Sequence, residues 1–163
     1  MVERNFAPSL WDRLMATTNS ARTDGRISLD TYKAAITRDL EDLLNTRTAL
    51  PDEYFAEFPA SRRSIINYGL ADFAALCLTS DVDQKVICNN LKEAIKRFEP
   101  RLSNVKTALR VERGTTNLLD FVIAGTLKAY GNDPLELNAV FQPSTLRYFI
   151  TPKSGSLKGQ PNW

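Results

Sequence analysis

The sequence predicts an α+β domain in which helices come first and a small, mainly antiparallel sheet follows. Three observations carry this. Apolar residues recur at helical spacing over 29–44 and again over 86–98, and beyond Pro100 the period falls to two. With 163 residues and 43% hydrophobic content, the chain can bury one sizeable core and is too short for two comfortable domains. The expected organisation is an N-terminal helix and linker over 1–26, one domain over 27–150, and a flexible tail over 151–163.

Pro8 and Ser9 precede Leu10, Trp11 and Leu14, whose spacing puts three apolar side chains on one face of a short helix. A polar stretch from Asn19 to Arg26, with Asp24-Gly25 near its end, separates it from a longer element. Ser28 caps that helix, which runs to about Asn45 and buries the face carrying Leu29, Tyr32, Ile36, Leu40, Leu43 and Leu44. From Thr46 to Arg63, Pro51, Pro59 and the aromatics Tyr54, Phe55 and Phe58 show no period, which predicts an ordered surface loop. Those aromatics fit either a partner surface or a loop folded back on the core. The type of the apolar stretch Phe73 to Leu78 stays open. Ser80-Asp81-Val82-Asp83 resembles a capping box and opens a helix with Val86, Ile87, Leu91, Ala94, Ile95 and Phe98 on one face. Pro100 ends it, since the residue before a proline is pushed out of helical geometry.

Alternation then takes over. Val105, Thr107, Leu109 and Val111 share one strand face, and Glu112-Arg113-Gly114 makes a turn. Leu119, Phe121, Ile123 and Leu127 share a second face; Leu135, Leu137, Ala139 and Phe141 share a third, after the break at Asn132-Asp133-Pro134. A short apolar segment, Leu146 to Ile150, precedes the tail.

Composition removes much chemistry. Lys+Arg of 21 against Asp+Glu of 19 leaves a net charge of +2 with no charged block, so no dedicated nucleic-acid surface is expected. The chain contains no histidine. That excludes Ser-His and Cys-His nucleophile pairs, an imidazole base and His-bearing zinc sites. Cys77 and Cys88 are expected as reduced thiols, with no disulfide and no cofactor. The N-terminus lacks the pattern of a signal peptide, and no apolar run approaches the ~20 residues that span a bilayer, so a cytoplasmic location is expected.

Three segments, in order, carry a resemblance. They are Arg38-Asp39-Leu40-Glu41-Asp42-Leu43-Leu44-Asn45-Thr46-Arg47, Ser64-Ile65-Ile66-Asn67-Tyr68-Gly69-Leu70-Ala71-Asp72-Phe73, and Phe98-Glu99-Pro100-Arg101-Leu102. Together they resemble the TssE family of type VI secretion baseplate components, itself similar to the lysozyme-like wedge proteins of contractile phage tails. That family usually shows proline where this chain has Ala71. The resemblance implies a structural subunit that is not an enzyme, at the cytoplasmic face of the inner membrane within the assembled baseplate. The implied partners are TssF, TssG and TssK, together with the sheath proteins TssB and TssC bound by strand addition.

The resemblance makes Glu99, Pro100 and Arg101 an interface element. A proline between opposite charges stiffens the backbone between them, and Arg101 offers a planar donor fork. Alanine at Glu99 or Arg101 is then expected to leave the fold intact while abolishing assembly. Leu43, Leu44, Asn45, Arg47, Tyr68, Gly69 and Asp72 are expected to support the fold: Arg47 at a helix C-terminus, Gly69 in a turn with positive φ. An alternative is a peptidoglycan hydrolase, for Glu3, Asp12 and Thr18 reproduce the offsets of a phage-type muramidase set. The context contradicts it, because that set needs a Gly-rich hairpin and Pro8, Trp11 and Leu14 read as helix. A second alternative is a free adaptor protein.

Overall fold

The computed structural model of the protein describes residues 6–15, 27–73, 76, 80–110, 119–129 and 133–152. Among these residues three α-helices, α1 (Leu10–Met15), α2 (Leu29–Asn45) and α3 (Asp81–Phe98), precede four strands, β1 (Leu102–Arg110), β2 (Leu119–Leu127), β3 (Pro134–Gln142) and β4 (Arg147–Pro152). The strands form one antiparallel sheet in the order β1-β2-β3-β4. Helices α2 and α3 pack on one face of it, α2 over β4 and α3 over β1, which is the α+β arrangement read from the sequence.

Caps define the two long helices. The Ser28 hydroxyl accepts the Thr31 N–H, and the Ser80 hydroxyl accepts the Asp83 N–H. Each such bond stabilises a helix start by ~1 kcal/mol. Helix α3 stops at Glu99, held at φ −114 and ψ 80 by the proline that follows. Tyr32, Ile36, Leu40, Leu43 and Leu44 from α2 meet Ile87, Leu91, Ala94 and Ile95 from α3 in one core. Val86, expected on that inner face, is exposed, because it lies at the edge of the apolar arc.

The sheet faces follow the alternation on β2 and β3: Phe121, Ile123, Leu127, Leu135, Leu137, Ala139 and Phe141 are all buried. Strand β1 departs from it. Its register with β2 shifts between Ser103 and Lys106, and Asn104 takes φ 51. This bulge lets Leu102 and Val105, of opposite parity, both point inward, whereas Thr107 and Leu109 are only half-buried. Strand β4 places Tyr148 and Ile150 in the core and extends through Thr151 and Pro152, two residues into the expected tail. Val111 and the expected turn at 112–114 lie outside the described residues, as does Cys77.

The loop after α2 carries three short 3-10 helices, Asp52–Phe55, Ser61–Arg63 and Ile65–Asn67. Its aromatics divide: Phe55 is buried, whereas Tyr54 and Phe58 are exposed. The loop closes on Gly69, at φ +117. A Cβ there would lie 2.5 Å from the Thr46 carbonyl oxygen. That same oxygen accepts the Leu70 N–H at 2.8 Å, and the Thr48 N–H donates back to the Leu70 carbonyl at 2.9 Å, so the close approach is what stitches the loop to the end of α2.

Candidate functional site

Glu99, Pro100 and Arg101 form the corner between α3 and β1. Pro100 is exposed, and its flanking charges turn toward each other. Glu99 is only 4% exposed. Its carboxylate accepts the Arg101 backbone N–H at 3.1 Å and Arg101 Nε at 2.6 Å, while its second oxygen accepts Arg101 Nη2. The remaining Nη2 hydrogen goes to Asp39 Oδ2 at 2.8 Å. Arg101 is further tied down by its carbonyl, which accepts the Lys128 N–H at 2.9 Å. Burial opposes the guanidinium charge, but Glu99 and Asp39 more than reverse this and hold its pKa above the ordinary arginine value. The expectation that alanine at Glu99 or Arg101 would spare the fold is therefore corrected. Both groups complete an internal ion pair, and removing one leaves the other partly desolvated without its partner.

The Nη1 group of Arg101 has no partner among the described residues. With the side chain 23% exposed, this second pair of donors is what the corner can offer a carboxylate or carbonyl from outside. From Asp39 the charges continue across the surface. Arg38 Nε and Nη2 donate to Asp39 Oδ1 at 3.2 and 3.0 Å, and Arg38 Nη1 donates to Asp12 Oδ1 in α1 at 2.7 Å. The Arg38 and Ser9 hydrogen bonds hold the Asp12 carboxyl below its ordinary pKa. Glu3 and Thr18 lie outside the described residues.

A second constellation closes one edge of the sheet. Asn45 Nδ2 donates to the Tyr148 carbonyl and Asn45 Oδ1 accepts the Tyr148 N–H, both at 2.9 Å. Glu41 Oε2 accepts the Ile150 N–H at 3.0 Å, and Arg47 Nη2 donates to the Leu146 carbonyl at 3.1 Å while its Nη1 caps the Leu44 carbonyl at 2.8 Å. Side chains from α2 and its C-terminal end thus occupy the outward backbone groups of β4.

The β1 edge is arranged differently. Thr107 Oγ1 donates to the Cys88 carbonyl at 2.8 Å, and the Leu109 backbone N–H is directed toward the Cys88 thiol. Burial raises the Cys88 pKa, so the thiol stays protonated. Among the described residues no other side chain bonds the outward backbone groups of β1. A groove of about 520 Å³ runs beside it, lined by Asp81, Gln84, Lys85, Cys88, Thr107 and Leu109.

Leu43 and Leu44 are in the core, Tyr68 packs edge-on against Phe98 at 5.2 Å between centroids, and Asp72 lines a surface cleft between the 48–51 loop and α3. Sequence reasoning missed Asp39, Arg38, Glu41 and the pairing of Asn45. Their signal was present as Arg38-Asp39 and Glu41 in the first quoted segment, but their partners lie far along the chain.

Among the described residues no helix is long and apolar enough to cross a membrane, and no group of three or more acidic or cysteine ligands is placed to hold a metal ion. Comparison with curated proteins finds no match. A family model described as Baseplate wedge protein gp25 matches residues 30–132, which spans α2, the loop, α3, β1 and β2 and includes the whole Glu99-Pro100-Arg101 corner. That match covers well over half of the chain, and the chain belongs to the baseplate wedge protein gp25 family.

Proposed function

We propose that this protein is the wedge subunit of a type VI secretion baseplate, joining a TssF and TssG core to the first sheath ring. Membership in a structural baseplate family underlies the reading. The three quoted segments favour the secretion branch over a phage tail. The Glu99-Pro100-Arg101 corner would bind the TssF and TssG side through the free Arg101 donors, with TssK reached through the same core. In this reading the protein acts in the cytoplasm at the inner-membrane face and hydrolyses no peptidoglycan.

The observation that carries the sheath half of the proposal is the asymmetry of the two sheet edges. Strand β4 is capped by Asn45 and Glu41, whereas β1 borders a groove. An extended arm of TssB or TssC would add beside β1, main-chain bonds supplying affinity and alternate side chains supplying register. Sheath polymerisation would then start at the baseplate.

Because the Leu109 N–H points away from β2, strand alternation directs the Thr107 N–H outward as well. Thr107→Pro deletes that donor without removing a bond to β2. A folded Thr107→Pro protein should keep its wedge partners yet form no sheaths in cells carrying a fluorescent sheath subunit. Normal sheath extension from that variant would overturn the docking edge.

A further inference from the structure

Helix α1 is amphipathic the wrong way round for a surface helix. Leu10, Trp11, Leu14 and Met15 share one face, and they are 70%, 58%, 69% and 64% exposed. No residue of the helix is buried. The side turned toward the body carries the polar groups. Asp12 accepts from Arg38 Nη1 at 2.7 Å and from the Ser9 hydroxyl at 2.6 Å, and Ser9 Oγ accepts the Asp12 N–H at 3.1 Å. A surface helix ordinarily turns its apolar stripe to the core and its charges to water. Here an ion pair latches the helix down and leaves four large apolar side chains outside.

Six residues span only ~9 Å and are far below the ~12–15 at which an isolated helix becomes marginal in water. The latch, with the antiparallel bridge between Phe6 and Ile27 and the stacking of Phe6 on Tyr32 at 4.7 Å, therefore fixes the apolar face in a defined direction. A contiguous exposed cluster of this kind marks an interaction site.

We propose that α1 is a docking peg that seats in an apolar groove on another protein subunit of the baseplate, with Trp11 as its anchor and an acidic side chain on the groove's rim meeting Arg13. Arg13 is exposed and has no side-chain partner among the described residues, so it is available for that contact. Charge disfavours a lipid surface. Asp12 and Arg13 cancel, whereas helices that lie on anionic bilayers are rich in Lys and Arg along the polar face. A ~9 Å helix alone cannot supply the ~800 Å² per partner of a standard interface, so α1 by itself does not make a stable dimer of this chain. The peg therefore acts within a larger contact.

Its position supplies that contact. The chain Asp12-Arg38-Asp39-Arg101 runs from α1 to the α3–β1 corner, and Phe6, Pro8, Ser9 and Arg101 line one cleft of about 440 Å³. Peg and corner share a side of the molecule. The helix lies outside residues 30–132, so it adds to the family domain a recognition element that the match does not cover. The inference rests on the baseplate assignment and is independent of the sheath edge.

The test places a photo-crosslinking benzoylphenylalanine at Leu14 of the full chain in its native cells. The expected result is an ultraviolet-dependent adduct to a different baseplate subunit, abolished by Trp11→Ser. An adduct to a second copy of the chain, or no adduct, overturns the proposal. In parallel, Trp11→Ser/Leu14→Ser should keep the melting temperature of the wild type, since nothing buried is lost, while binding to purified neighbouring wedge subunits weakens on the order of tenfold or more. Undiminished binding overturns it, as does wild-type flotation with phosphatidylethanolamine and phosphatidylglycerol vesicles that the double variant loses. Thr107→Pro should retain the Leu14 adduct, so the peg and the sheath edge can fail separately.

Discussion

Replacing Arg101 with alanine removes three charge-assisted bonds, two to Glu99 and one to Asp39. Glu99 has lost nearly all its water and would keep only the residue-101 N–H as a donor. Breaking a buried pair from one side costs about 3–5 kcal/mol. Water can partly re-enter where Arg101 was 23% exposed, which places the expected loss near the lower end, ~3 kcal/mol. Glu99→Ala should cost less, ~1–2 kcal/mol, since the guanidinium keeps Asp39 and can turn toward solvent. In the double variant no orphan carboxylate remains at 99. Its loss should fall short of the sum of the singles by ~2 kcal/mol, the coupling expected of side chains in contact. Urea unfolding followed by circular dichroism reads all four proteins. At a typical slope of 1–3 kcal/mol per molar, Arg101→Ala should lower the midpoint by about 1–3 M with the slope unchanged. If both single variants unfold within ~0.5 kcal/mol of wild type, the pair is not an internal support and the reasoning fails.

Three further outcomes follow from the same geometry. Gly69→Ala should destabilise by ~2–4 kcal/mol, because it combines a positive φ with a Cβ 2.5 Å from the Thr46 oxygen; a change below ~0.5 kcal/mol in the same urea assay would contradict that contact. Asn45→Ala orphans both the N–H and the carbonyl of Tyr148, at a cost of ~1–3 kcal/mol, and uncovers the β4 edge. Light scattering of the folded variant should show association that wild type lacks, and equal behaviour would refute the capping role. The Asp12 carboxyl is held below its ordinary value by Arg38 and Ser9, so its support of α1 is full above the unfolded aspartate pKa of ~3.9 and is lost as pH falls through the lower folded value. Amide signals of residues 10–15 should shift in that acid window in wild type, and in Asp12→Asn the helix should be loosened already at neutral pH; a pH-independent α1 in wild type would rule out the latch.

The two long helices were legible because their ends are written locally, in Ser28, Ser80 and Pro100, and their apolar faces repeat over four turns or more. The inner faces of β2 and β3 were legible for the same reason: period two holds across each strand. Strand β1 was not, since one bulged residue at Asn104 exchanges inward and outward parity and makes Leu102 a core residue. The loop aromatics divided by burial in a way that no local pattern announces. The α3–β1 corner was visible as a motif, and a local Glu99–Arg101 pair could be read from it, but the burial of Glu99 and the further bond from Arg101 to Asp39, 62 residues earlier, could not. Asn45 carries a sharper form of this limit. It read as a helix end, and its function as the cap of β4 depends on a residue 103 positions away. The short helix was predicted from its spacing, yet spacing cannot say whether an apolar face turns inward, and here a single ion pair to Arg38 decides it.

A wedge subunit works only as part of a complex, and this chain belongs to a wedge family. Co-expression with and without TssF and TssG homologues, followed by affinity purification and size-exclusion chromatography, is the direct test. The expected result is a stable complex containing all three proteins, with this chain poorly behaved when produced alone. Elution of a well-behaved monomer, separate from TssF and TssG even when all are made together, would contradict it.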